Sequence, residues 1–166
     1  MNTSEVLLDA FGRIQEVVHD VVDGLDDKTL STRPEGTGNS IAWLVWHLTR
    51  IQDDHLADAG GYEQVITAGG WHDRLGLPFD AADTGYAHTS EQVDAVQLSA
   101  EQLTGYYDAV HARSLEYLKT LSDDDLDRIV DKRWNPPVTL GVRLISVLSD
   151  DLQHAGQAAY IRGLIA

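Results

Sequence analysis

Apolar residues recur at three- and four-residue intervals in four long stretches of the chain, and the pattern lapses between them. In the first, Leu7, Leu8, Phe11, Ile14, Val18, Val21, Val22 and Leu25 share one face and predict a helix over residues 4–24. Ser4 is its candidate N-cap, and Gly24 suits its end. In the second, Ile41, Leu44, Val45, Leu48, Ile51 and Leu56 predict a helix over 39–59, capped by Asn39 or Ser40 and ended by Gly60-Gly61. The third runs over 99–121 on Leu103, Tyr106, Tyr107, Val110, Leu118 and Leu121. Ser99 followed by Gln102 has the form of a capping box, and Gly105 is a weak point within the helix. The fourth, 139–165, carries Leu140, Leu144, Leu148, Leu152, Ala155 and Ala159 on one side. Pro136-Pro137 bars helix before it, and Thr139 is a plausible cap.

Four amphipathic helices with no competing run of alternating Val, Ile and Thr predict an all-α four-helix bundle without a sheet. The connection over 25–38 is of medium length, whereas 60–98 is long enough to cross the bundle. The expected order is therefore up-down-down-up, with the long crossover between helices two and three. A structureless link of that length is unusual in a compact domain, so a short helix near 88–96 is expected within it.

Composition narrows the chemistry. The chain of 166 residues reads as one domain, residues 1–166, and carries 12 Lys and Arg against 27 Asp and Glu, a net charge of −15, with no Cys. Disulfides, thiolate metal sites and a cysteine nucleophile are excluded. The acidic balance argues against binding to phosphate backbones, hence no nucleic acid. No apolar run reaches the roughly 18 residues that span a bilayer, and the first residues lack the features of a signal peptide. A cytoplasmic protein without a membrane partner is expected. An enzyme, a small-ligand binder and a structural protein stay open.

Histidines fall at 19, 47, 55, 72, 88, 111 and 154. His19, His72, His88 and His111 read as solvent-facing or locally satisfied. His47 lies three residues after Leu44 and four before Ile51, on the inward arc of its helix. It is either a hydrogen-bonded core residue or a metal ligand in a dry core. In S-D-D-L-Q-H, Asp150 precedes His154 by four residues, a spacing that lets a carboxylate and an imidazole reach one cation. Asp150 could equally do no more than accept a hydrogen bond from His154. Two imidazoles and one carboxylate from facing helices would leave coordination positions open, the pattern of catalytic sites. His47 and His55 cannot belong to one chelate, because eight residues of helix separate them by about 12 Å.

W-H-L in the second helix, with H-A-G-Q and Y-I-R-G in the fourth, resembles the DinB/YfiT-like superfamily, in particular its mycothiol-dependent maleylpyruvate isomerase-like and DUF664 members. The resemblance covers the chain in helix order, and its specific part lies at 43–55 and 150–163. It implies a metal held by His47, Asp150 and His154, with Asp151 as the alternative carboxylate. Many members have His where this chain has Asp150. It further implies a divalent metal (Zn, Ni, Fe or Mn) that activates a low-molecular-weight thiol, in a thiol transferase, an isomerase or a metal-dependent hydrolase, and it allows a homodimer. A bundle with a vestigial site is the non-enzymatic alternative. Gln157 and Asp54 are candidates to orient the ligands. Trp43, Trp46, Arg50, Trp134 and Arg162 are candidates to line a substrate cavity; packing for the tryptophans and surface ion pairs for the arginines are the plainer readings.

Overall fold

The computed structural model describes residues 1–165. In chain order its helices are α1 (Thr3–Val22), α2 (Asp27–Ser31), α3 (Ile41–Gly60), α4 (Val65–Ala68), α5 (Trp71–Leu75), α6 (Ser90–Asp94), α7 (Ala100–Leu118) and α8 (Leu140–Ile165). The structure is mostly helical. The long helices α1 and α3 each pack against both α7 and α8, and α1 has little contact with α3. The core is the sum of their apolar faces, with Phe11, Ile14, Leu44, Leu48, Tyr107, Leu118 and Leu144 buried at its centre.

The helix ends follow hydrogen-bonding chemistry. Ser40 accepts from the amide of Trp43 at 3.1 Å. Ser99 and Gln102 form the reciprocal box, at 3.2 and 3.0 Å. Thr139 accepts from the amide of Val142 at 3.3 Å. At the first helix the expectation is corrected: Asn2 and Glu5 form the box, and Ser4 instead donates to the carbonyl of Leu118 at 2.8 Å. Gly105 is no mere weakness, since a Cβ there would stand 2.7 Å from the ring of Trp71. The glycine makes room for α5 to lie against α7.

A sheet was not expected, and a small one is present. β1 (Ile129–Asp131) pairs antiparallel with β2 (Val138–Thr139) just before α8. Five residues of ribbon are too few to produce a legible period of two. The long connection between α3 and α7 holds three short helices, α4 to α6, where one was expected. Asp53 of α3 fastens its start by accepting from the amides of Val65 and Ile66, both at 2.8 Å.

Candidate metal centre

Helices α3 and α8 bring His47, Asp150 and His154 together. One ligand atom from each lies within 4.8 Å of the other two. Nε2 of His47 is 3.9 Å from Oδ2 of Asp150, and Nε2 of His154 is 3.7 Å from Oδ1. The imidazole centroids are 4.8 Å apart, with the rings nearly perpendicular. A tetrahedral ion with bonds near 2.1 Å would hold its ligand atoms about 3.4 Å apart, so a small inward movement of the side chains would close the site. Asp151 turns the other way, into the core, so Asp150 is the carboxylate facing the imidazoles.

Each imidazole is held through its second nitrogen. Nδ1 of His47 donates to the carbonyl of Thr84 at 2.5 Å, and Nδ1 of His154 donates to Oε1 of Gln157 at 2.9 Å. Those bonds place the proton on Nδ1 and leave both Nε2 lone pairs free, on the side where Asp150 stands. Burial pushes the His47 imidazole below its ordinary pKa, which favours the neutral, ligating form. One oxygen of Asp150 is buried with no hydrogen-bond partner among the described residues. A cation would satisfy it, so the donor set fits a divalent metal.

The connection between α3 and α7 builds a closed ring of contacts around His47. Trp43 stacks on the imidazole, with centroids 4.6 Å apart. Its indole N–H donates to Nδ1 of His88 at 3.1 Å. Nε2 of His88 donates to Oδ1 of Asp83 at 3.0 Å, and the same oxygen accepts the amide of Gly85 at 2.8 Å. Thr84, between them, returns to His47. Gly85 has φ +87°, and a Cβ on it would meet Nδ1 of His47 and the Trp46 ring, each at 2.9 Å. Only glycine lets this loop pass so close.

Arg50 anchors the loop from below. Buried rather than engaged in a surface pair, it donates to the carbonyls of Asp83 and Ala81, each at 3.1 Å, to Gln64 at 2.8 Å, to Asp53 at 3.1 Å and to the hydroxyl of Tyr106 at 3.0 Å. Asp54 does not reach the imidazoles at the centre; it accepts from Gln64 at 2.8 Å and lies beside His55. Arg162 donates to the carbonyls of Val21 and Asp23 at the end of α1. Trp46 is buried against Phe79 and His88. Trp134 stands exposed on the turn of the ribbon. His19 pairs with Asp108, His72 with the carbonyl of Phe79, and His111 stacks on Tyr107. Thr84, Asp83 and Gly85 were missed from sequence. A backbone carbonyl has no side-chain signature, and the one available hint was a glycine three residues before His88.

The DinB superfamily profile matches residues 10–158. The chain belongs to the DinB superfamily. A solved structure of a conserved protein from Enterococcus faecalis is similar over 99% of this chain and 98% of its own, with 26% identity and a TM-score of 0.92. None of the curated proteins matches the chain.

Proposed function

We propose that this DinB superfamily member is a divalent-metal-dependent enzyme that transfers a low-molecular-weight thiol to an electrophilic small molecule. The carrying observation is the convergence of two neutral imidazole Nε2 atoms and Asp150, with both Nδ1 atoms already engaged. Bound at His47, Asp150 and His154, a cation (Zn, Ni, Fe or Mn) would have coordination positions left for substrate and would lower the pKa of a thiol there. With no Cys in the chain, the sulfur would arrive on a co-substrate of the mycothiol or bacillithiol kind. Thr84 and Gln157 keep the ligating nitrogens unprotonated, Trp43 excludes water from one face of His47, and Asp150 contributes the negative charge.

The same reading takes the long helices as an up-down-down-up bundle. Supporting it, Ser4 and Gln15 meet Leu118 and Asp108 in the antiparallel sense, whereas Arg50 and Ala59 meet Tyr106 and Tyr117 in the parallel one. A homodimer is favoured by the outer face of α8, where Val142, Ile145, Leu152, Tyr160 and Leu164 are exposed. Cytoplasmic action on a small molecule completes the proposal; no helix among the described residues is long and apolar enough to cross a membrane.

The test is metal analysis followed by an assay with bacillithiol or mycothiol and 1-chloro-2,4-dinitrobenzene, against a control without thiol. Thiol-dependent turnover, lost together with the metal in His47→Ala and His154→Ala, is expected. Metal-dependent turnover of ester or amide substrates without thiol would replace the reading with a hydrolase. Variants altered in stability alone would leave a bundle with a vestigial site. Metal retained in both variants would overturn the ligand assignment.

A further inference from the structure

The groove between α3 and α8 holds a second cluster. His47 and Asp54 are seven residues apart on α3, as are Arg143 and Asp150 on α8. Seven residues return to nearly the same helix face about 10 Å further along. His47 stands beside Asp150 at one level, and Nδ1 of His55 accepts from Arg143 at 3.3 Å at the other. The two levels therefore lie on the same faces of α3 and α8, about 10 Å apart.

At the second level lies a cleft of about 490 Å³, walled by α3, α8 and the β-ribbon. Its walls differ in sign. The α3 wall presents Asp54 and Asp58, and the wall from α8 and the ribbon presents Arg143, Lys132 and Arg133. Asp131 offsets one of those positive charges, its carboxylate being engaged by Arg133 at 2.8 Å and by Arg143 at 3.1 Å, and the wall stays net positive. Arg143 has five N–H donors and commits two groups, one to His55 and one to Asp131, so donors are left for a ligand. The acceptor role of His55 Nδ1 places its own proton on Nε2, a further neutral donor.

We propose that this cleft binds the zwitterionic end of the substrate whose reactive atom lies at His47, Asp150 and His154. Its ammonium would face Asp54 and Asp58, and its carboxylate Arg143 and Lys132, about 10 Å from the metal centre. The ligand class is a small peptide-like or amino-acid-conjugated molecule, since an extended tripeptide spans about 10 Å. The inference rests on the proposed thiol chemistry for the identity of the reactive atom and on the cleft alone for the tail, which selects a peptide-like thiol over mycothiol, whose sugar end carries neither charge.

The probe is S-methylglutathione, which keeps both charges and carries no free thiol. Titration calorimetry on the metal-loaded protein is expected to detect binding that weakens at least tenfold in Arg143→Gln and in Asp58→Asn. Asp58 is exposed, so its variant keeps the fold if Arg143→Gln does not. Absence of binding, or unchanged binding in Asp58→Asn, overturns the inference. Binding of the probe without thiol-dependent turnover supports the cleft and sinks only the transferase reading. Turnover of tailed and tail-less thiols that Asp58→Asn leaves equal sinks only the cleft.

Discussion

The carbonyl of Thr84 accepts the Nδ1 proton of His47 at 2.5 Å, so the long connection between α3 and α7 fixes the tautomer of an imidazole on a helix far from it in sequence. The loop reaches that position because Gly85 adopts φ +87° against His47 and Trp46. In Gly85→Ala the new Cβ must displace one of them, and the backbone is strained as well. We expect metal affinity to fall about 10- to 100-fold, as when an outer hydrogen-bond partner of a ligand is lost, while the helical content stays native. Competition with a chromophoric chelator measures it. Unchanged affinity would show that the Thr84 contact does not govern the site.

Arg50 and Asp53 are both buried and paired at 3.1 Å. Removing the guanidinium in Arg50→Met leaves a buried carboxylate and strands the carbonyls of Ala81 and Asp83. The expected loss is about 3–5 kcal/mol, typical of breaking one partner from a buried pair. Arg50→Lys should rescue little of it, because a single ammonium cannot replace the branched donor set. Denaturant unfolding monitored by circular dichroism gives the number; a loss within about 0.5 kcal/mol, the surface range, would mean that the network is dispensable.

The long helices were legible because burial of one face imposes a period of 3.6 residues, which Leu44, Leu48 and Ile51 or Leu103, Tyr107 and Val110 display directly. The three candidate ligands that lie together could be picked out for a related reason, joined to the family resemblance. His47 shares the inward arc of its helix, and Asp150 and His154 are four apart. Arg50 was not legible as a buried residue, since a charge in a sequence carries no record of the partners that will surround it. The ring of Thr84, Asp83, His88 and Trp43 was also hidden: it closes through a backbone carbonyl and a long connection whose path depends on Asp53, Gly85 and Gly105. The ribbon at 129–139 was too short for its alternation to register.

Burial holds the imidazoles of His47, His55 and His111 below their ordinary pKa. The unfolded chain then binds more protons than the folded one, so stability rises with pH through that range. The His contribution is fully present above about pH 6.5, the unfolded value, and is lost as pH falls through the lowered folded values. His111 lies away from the candidate metal ligands, stacked on Tyr107. In the metal-free protein, His111→Gln is expected to lose less thermal stability than the native chain between about pH 7 and pH 5. Parallel Tm profiles for the two proteins would show that His111 titrates alike in folded and unfolded chains.

Asp151 is fully buried, and neither carboxyl oxygen has a hydrogen-bond partner among the described residues. Burial pushes its pKa well above the usual carboxylate range, with the neighbouring charge of Asp150 acting in the same direction. The sign is opposite to that of the histidines. Below about pH 3.9 the acid is neutral in both states; as pH rises toward the folded value, only the unfolded chain ionises, and stability falls. Asp151→Val removes the penalty at nearly constant volume. The expected gain is about 1–3 kcal/mol at about pH 8, the range for relieving an unsatisfied buried polar group, and less at about pH 4. Metal content should stay native, because Asp150 rather than Asp151 faces His47. A variant less stable than the native chain at about pH 8 would mean that an interior water satisfies the carboxyl. Loss of metal would return Asp151 to the ligand set.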